Sequence, residues 1–295
     1  MSTAMGGPRV AVLRSEDRAA PLAHALVEAG AVPVLCPLIA NELPADPEQR
    51  VFLAEQLAAL AEGHFAWVAF TSVSTVRALV AIAGEAGEGQ DTALKVSAVT
   101  KVAAVGKATA RALEAAGVTV DLLPHAEHSA RGLLAEWPVP EDTAFAAVLL
   151  PAADLAAPTL RDGLLERGWR PVDLMAYRTV DAPGDPELLL SVPVPGQPAV
   201  AAPSGLERLS PAELAAALAA GTLDAAILTS PSTARRVAVL LDGRESATGF
   251  IAIGPRTAKE ALAHGLRVDA VAKTTDPAGL AGALAAREAA ERKQP

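Results

Sequence analysis

Short apolar runs alternate with helix-like segments along the chain. Val10 to Leu13, Val32 to Leu35, Ala66 to Phe70, Val102 to Val105, Ala146 to Leu150 and Ala225 to Leu228 show no inside–outside alternation. Uninterrupted runs of this kind predict strands buried on both faces, as in parallel sheets. Between them, Ala19 to Ala29, Pro47 to Ala61, Val73 to Ala83, Thr109 to Ala116, Ser129 to Trp137, Pro158 to Arg167 and Ala212 to Ala220 read as helices. Pro277 to Arg292 reads as the last helix. Gly30, Gly117 and Gly168 close three of them in the manner of C-terminal caps. Val118 to Leu123 and Val172 to Val180 are expected to be extended as well. The pattern predicts an α/β fold built from strand–helix–strand units.

Several of these units are repeated. VAAVGKATARALEAAGVTVDLLP, from Val102 to Pro124, returns as FIAIGPRTAKEALAHGLRVDAVA, from Phe250 to Ala272. Gly106 matches Gly254, Thr109 matches Thr257, Gly117 matches Gly265 and Asp121 matches Asp269. FTSVSTVRA, from Phe70 to Ala78, returns as LTSPSTARR, from Leu228 to Arg236. There Thr71, Ser72, Ser74, Thr75 and Arg77 align with Thr229, Ser230, Ser232, Thr233 and Arg235. A weaker likeness joins Val12 to Leu35 with Val148 to Leu174; both end in Gly-x-x-Pro-Val. If each domain takes one copy of every unit, one domain comprises residues 45–173. The other joins 1–36 to 183–295, and 37–44 and 174–182 are extended connectors. Each domain is then a parallel sheet of about five strands with helices on both faces. Ligands of such sheets bind beyond the carboxyl ends of the strands. The Thr-Ser and Gly-x-x-Thr turns are expected there, facing a cleft between the domains.

Two stretches stand apart. Asp181 to Pro211 holds Pro183, Pro186, Pro193, Pro195, Pro198, Pro203 and Pro211, which argue against regular elements, so it reads as a surface excursion. Gly84 to Asp91 reads as a glycine- and acid-rich loop without assignable chemistry.

Composition narrows the classes. Hydrophobic residues make up 51% of the 295 residues, ample for packed cores. A net charge of −9 argues against nucleic-acid binding but leaves a small anionic ligand open. No apolar run approaches the ~18 residues of a membrane span, and MSTAMGGPRV lacks the regions of a signal peptide, so a cytoplasmic protein is expected. Cys36 is the one cysteine, which excludes an intramolecular disulfide or a multi-cysteine zinc site. The five histidines share no spacing; His125 with His128 is the one pair that could be weighed as metal ligands. No P-loop, G-x-G-x-x-G or G-x-S-x-G motif occurs.

What remains are the repeated turns. Gly106 and Gly254 read either as turn glycines or as an anion-binding rim at a helix N-terminus. Thr109 and Thr257 read as first-turn or capping residues or as ligand donors. Ser72, Ser74, Ser230 and Ser232 read as helix caps, ligand donors, or both. Tyr177, the chain's single tyrosine, reads as packing or as a cleft-facing group in the second connector.

Taken in order, FTSVSTVRAL, VAAVGKATARALEAAGVTVDLLP, VLLPAADLAAPTLRDGLLERGWRPVDLMAYRTV, ILTSPSTARRV and IAIGPRTAKEALAHGLRVD resemble the uroporphyrinogen-III synthase family. The resemblance implies two flavodoxin-like domains joined by a two-stranded connector, an active site between them and no cofactor or metal. It implies hydroxymethylbilane, a linear tetrapyrrole polycarboxylate, as substrate and uroporphyrinogen III as product. The family's connector tyrosine corresponds to Tyr177, implied here to be the catalytic acid. Its hydroxyl residues correspond to Thr71, Ser72, Ser230 and Ser232, its Gly-x-x-Thr turns to Gly106 with Thr109 and Gly254 with Thr257, and its early arginine to Arg14. Ser74 and Lys107 are added as substrate-binding candidates. Catalysis by positioning suits such a reactive substrate. A monomer is expected. The competing readings are a non-catalytic tetrapyrrole-binding or regulatory protein on the same fold and a binding protein for another small anion.

Overall fold

The structure, a computed structural model, describes residues 6–86, 94–196 and 202–291. The chain divides into two compact units. One gathers residues 1–40, 181–183 and 200–295; the other gathers 41–180 and 184–199.

In the first unit, β1 (Arg9–Val12), α1 (Glu16–Glu28) and β2 (Val32–Leu35) form the opening strand–helix–strand unit. β8 (Glu207–Arg208), α7 (Pro211–Ala220), β9 (Ala225–Leu228), α8 (Pro231–Leu241), β10 (Gly249–Ala252), α9 (Pro255–Ala263), β11 (Val268–Val271) and α10 (Pro277–Glu291) follow after the excursion through the other unit. The sheet order is β11-β10-β9-β1-β2-β8, with every neighbour parallel. Without β8 this is the flavodoxin order. Both faces are covered, which explains the unbroken apolar runs. Ala11 and Leu13 of the first strand region pack with Leu214, Val237 and Ala261. Val10 and Val12 face the other way, onto Leu22, Leu26, Leu280 and Leu284.

The second unit holds β3 (Ile39–Glu42), α2 (Pro47–Glu62), β4 (Trp67–Phe70), α3 (Val73–Ala86), β5 (Lys101–Ala104), α4 (Lys107–Ala115), α5 (Ala130–Glu136), β6 (Ala147–Ala153), α6 (Thr159–Glu166) and β7 (Arg170–Asp181). Its order is β3-β7-β6-β4-β5, with β7, β6, β4 and β5 parallel. This is the first unit circularly permuted. β6–α6–β7 stands where β1–α1–β2 stands, and β4 and β5 stand for β9 and β10. Leu53, Leu79 and Leu113 cover one face; Leu133, Leu160 and Trp137 cover the other.

Three expectations need correction. Val118 to Leu123 is not a regular strand in the second unit; it makes a single parallel bridge, Leu122 to Ala103, where its repeat partner forms β11. The proline-rich stretch is not devoid of structure, since Glu207 and Arg208 pair with Val34 and Leu35 as β8. Its first half also belongs to the second unit rather than the first. Leu43 N–H donates to Leu188 O, and Leu190 N–H donates to Asn41 O, both at 2.8 Å. Arg77, only 2% exposed, donates Nε to Val192 O at 2.6 Å and Nη2 to Leu190 O at 2.7 Å. Proline cannot donate to a ladder, but the carbonyls of an extended segment remain free to accept from such a guanidinium. Of the expected acid-rich loop, Gly84 to Ala86 continue α3, while 87–91 lie outside the described residues. So do 197–201, within the proline-rich stretch, and 292, the end of the expected last helix.

One further repeat emerges only in three dimensions. Ser129 and Asp276 cap α5 and α10 by accepting from Gly132 N–H at 3.1 Å and Gly279 N–H at 2.7 Å. A methyl at Gly132 would lie 1.9 Å from Glu127 O, and one at Gly279 would lie 2.4 Å from Thr274 O. Both helices are pressed against the preceding loop. Gly132→Ala and Gly279→Ala should each destabilise the fold by about 1–3 kcal/mol, the range of forced overpacking. Gly282→Ala, in the same α10 but with nothing within 4 Å, should be neutral or stabilising by up to about 1 kcal/mol. Urea unfolding midpoints of the three variants check the contrast.

Candidate functional site

In the second unit, β4 ends at Phe70 and Thr71 and Ser72 follow. Ser72 Oγ accepts from Thr75 N–H at 3.1 Å and so caps α3. It also lies 2.9 Å from Thr75 Oγ1 and 3.3 Å from Tyr177 Oη. Tyr177 stands in β7, is 8% exposed and packs with the core of this unit. Thr71, Ser72 and Tyr177 line one cavity of about 540 Å³, completed by Pro151 to Asp154 at the end of β6 and by Arg161 in α6. Arg161 donates Nε to Asp173 at 2.8 Å, beside the same cavity. The cavity therefore opens at the carboxyl ends of β4 and β6, where ligands of parallel sheets bind.

β5 leads to Gly106 at the N-cap of α4, and β10 of the first unit leads to Gly254 at the N-cap of α9. Both backbones are extended, with φ of −146° and −176°, a conformation open to any residue. A methyl at Gly254 would meet nothing within 4 Å, and one at Gly106 only His128 Cβ at 4.0 Å. Neither turn shape nor packing demands glycine here. What glycine does is leave the helix ends without a side-chain cap, whereas Asp46, Ser129, Ser210 and Ser230 cap α2, α5, α7 and α8. The first-turn N–H groups thus await an outside acceptor. Each uncapped turn also carries an exposed cation against the helix dipole, Lys107 in α4 and Arg256 in α9, and neither has an acidic residue there. Free donors, a positive dipole end and a cation are the elements that favour an anion at a helix N-terminus.

The other expected residues fall into two groups. Ser230 repeats the cap of Ser72: its Oγ accepts from Thr233 N–H at 3.1 Å and lies 2.9 Å from Ser232 Oγ. Arg14 follows β1; burial, and then the neighbouring Arg18, lower its pKa, so an arriving carboxylate would relieve the cost of its charge. Ser74, Thr109 and Thr257 are instead buried, at 8%, 5% and 3% exposure. Ser74 Oγ accepts from Asn41 Nδ2 at 3.4 Å. These three side chains pack inside their units, behind the turns. The sequence reading missed Arg256 and the β6–α6 loop. The repeat held the signal for both, since Arg256 stands in the turn matching Lys107 and the loop after β6 matches the loop after β1, where Arg14 stands.

No group of three or more histidine, cysteine or acidic side chains suited to a metal occurs among the described residues. His125 turns Nδ1 to Glu136 Oε2 at 2.7 Å, and this bond is the first cause of the lowered Glu136 pKa. No helix among the described residues is long and apolar enough to cross a membrane.

The model of one family, uroporphyrinogen-III synthase HemD, matches residues 20–282. The chain belongs to the uroporphyrinogen-III synthase family, and its function is that of the family, in porphyrin and heme biosynthesis. Among solved structures it is similar to a uroporphyrinogen III synthase variant of Thermus thermophilus, at 23% identity over 98% of this chain and 100% of that one, with a TM-score of 0.60. The enzyme of Helicobacter pylori 26695 is 18% identical over 95% and 99%, with a TM-score of 0.48. The first likeness carries the two-unit fold. No curated protein matches the chain by sequence.

Cys36, the one thiol, lies outside this chemistry. It is 1% exposed, and burial above all pushes its pKa up to about 12. Iodoacetamide at neutral pH should leave the folded protein unmodified, and denaturant should allow one adduct. An adduct formed before unfolding, seen by intact mass, would contradict this burial.

Proposed function

We propose that the chain closes hydroxymethylbilane to uroporphyrinogen III with inversion of ring D, and that Tyr177 is the acid that starts the reaction. The observation that supports this most is the chain's single phenol, held at the wall of the strand-end cavity beside Ser72. The phenol gives its proton to the hydroxymethyl oxygen. The C–O bond breaks and water leaves, taking the bonding pair. The azafulvene so formed is attacked by the substituted carbon of the terminal pyrrole, giving a spiro intermediate. That intermediate fragments, the ring recloses inverted, and loss of a proton restores aromaticity. Each step is a proton transfer or the making or breaking of a C–O bond or of a C–C bond between a pyrrole carbon and a methylene carbon, with no net redox change, so no cofactor is called for.

The protein's larger task is to hold one conformation of a reactive substrate, because unaided closure gives the uninverted isomer. The substrate's carboxylates supply the handles. We assign them to the free N–H groups after Gly106 and Gly254, to Lys107, Arg14 and Thr71, and to the hydroxyls of Ser230 and Ser232. Ser72, whose hydroxyl is engaged by Thr75 and Tyr177, and the buried Ser74, Thr109 and Thr257 support these turns from behind. The same reading places the enzyme in the cytoplasm as a monomer, where its lone thiol needs no partner.

Freshly generated hydroxymethylbilane should give mostly isomer III with the protein and isomer I in buffer. Tyr177→Phe should be slower by up to about 10²–10⁴-fold, the usual worth of general acid catalysis, while still directing what it converts to isomer III. Isomer I from the wild-type protein at every concentration would end this reading, and an unchanged rate in Tyr177→Phe would remove the acid.

Gly106→Asp and Gly254→Asp test the rim. The new carboxylate should cap its own helix and stabilise the fold by roughly a few tenths of a kcal/mol. By occupying the N–H groups and adding negative charge, it should raise KM. Stability and substrate affinity moving together would show that these turns do not meet the substrate.

A further inference from the structure

We propose that Ser72 is a positioning residue for Tyr177: its hydroxyl donates to the phenol oxygen, aims the phenolic proton at the cavity, and stabilises the oxygen once that proton has left. This rests on Tyr177 being the acid of the reaction.

Ser72 Oγ has three neighbours at hydrogen-bonding distance. Thr75 N–H donates to it at 3.1 Å, Thr75 Oγ1 lies at 2.9 Å and Tyr177 Oη at 3.3 Å. The hydroxyl is thus engaged within the protein. Either oxygen of each hydroxyl pair can donate; in the order assigned here the Thr75 hydroxyl gives its proton to Ser72 Oγ, and Ser72 gives its own to Tyr177. This order leaves the phenolic proton pointing away from Ser72, toward the cavity that both residues line. The positive end of α3 lies behind Ser72, and a hydrogen bond from the cap carries that polarity to the tyrosine oxygen. When the phenol protonates the departing hydroxyl, charge appears on Oη, where the Ser72 donor already points. The proton lost from the pyrrole at rearomatisation returns the phenol to its starting state.

Comparison with the first unit isolates the arrangement. Ser230 also accepts from the threonine three positions on, Thr233 N–H at 3.1 Å. Its outer neighbour is Ser232, at 2.9 Å. The equivalent of Ser232 is Ser74, which is drawn off to Asn41 at 3.4 Å; Asn41 in turn accepts from Thr179 Oγ1 at 3.3 Å. Ser74 thereby leaves the outer side of Ser72 to Tyr177. Asn41 and Thr179 lie on neighbouring β3 and β7, the strand that carries the tyrosine.

Three variants separate this role from capping. Ser72→Ala loses both donor and cap, Ser72→Thr keeps both, and Ser72→Asp keeps the cap without the donor. Because Tyr177 is the only tyrosine, the intensity ratio of the tyrosine Fermi doublet in ultraviolet resonance Raman spectra reports its hydrogen bonding directly. That ratio should change in Ser72→Ala and return in Ser72→Thr. Ser72→Ala should lower kcat by roughly tenfold, about the effect of one hydrogen bond to a developing charge, with KM little changed. Ser72→Thr should recover kcat. Ser72→Asp should unfold at the wild-type denaturant midpoint or above and still turn over slowly. An unchanged doublet in Ser72→Ala, or recovery of kcat in Ser72→Asp, would overturn the proposal. The doublet is read without turnover, so this failure is distinct from that of the acid itself, which an unchanged rate in Tyr177→Phe would show.

Discussion

A parallel strand can be buried only when helices cover both of its faces, and this requirement organises both units. It explains why the strands read as continuous apolar runs, with Val10 and Val12 facing one helical layer and Ala11 and Leu13 the other. Within each unit, successive parallel strands are joined by a turn at the carboxyl end and a returning helix. Those turns are the places where backbone donors meet solvent and not the core, which is why the proposed chemistry is assigned to them.

At these turns the two units make the same division. The Thr-Ser turns after β4 and β9 cap their helices with Ser72 and Ser230, satisfying the backbone locally. The glycine turns after β5 and β10 leave α4 and α9 without a side-chain cap and set a cation in the first turn. Capped ends hold hydroxyls in fixed positions; uncapped ends offer N–H groups to a polyanion. In the proposed reading, a tetrapyrrole polycarboxylate, whose outcome depends on being held in one shape, would use both kinds of group.

The duplicated motifs diverge where their surroundings differ. Arg77 and Arg235 occupy the same motif position, yet Arg77 is buried against the carbonyls of Leu190 and Val192 while Arg235 pairs on the surface with Glu260. The bond from Arg235 is the main cause of the lowered Glu260 pKa. Ser74 and Ser232 likewise part company, one toward Asn41 and the other toward Ser230. The proline-rich excursion brings the carbonyls that bury Arg77, and the strand pairing of β3 with β7 brings Asn41 to Ser74.

Element types, repeats and strand-end turns were legible along the chain alone. They depend on local spacing: apolar runs for buried strands, glycines at helix ends, and Thr-Ser pairs directly after strands. Tyr177 stood out in the same way, as the only tyrosine in an extended crossing. Packing decided which side chains reach the cavity. Thr109 and Thr257 stand in the expected turns yet are buried in their units, and the loop after β6 lines the cavity unannounced. The proline-rich segment reads as an excursion because proline disfavours regular elements, but its carbonyls found Arg77 and its end found β2. Position along the chain specifies which turn a residue occupies. Whether its side chain points outward, and what accepts from it, depends on packing against residues distant in sequence.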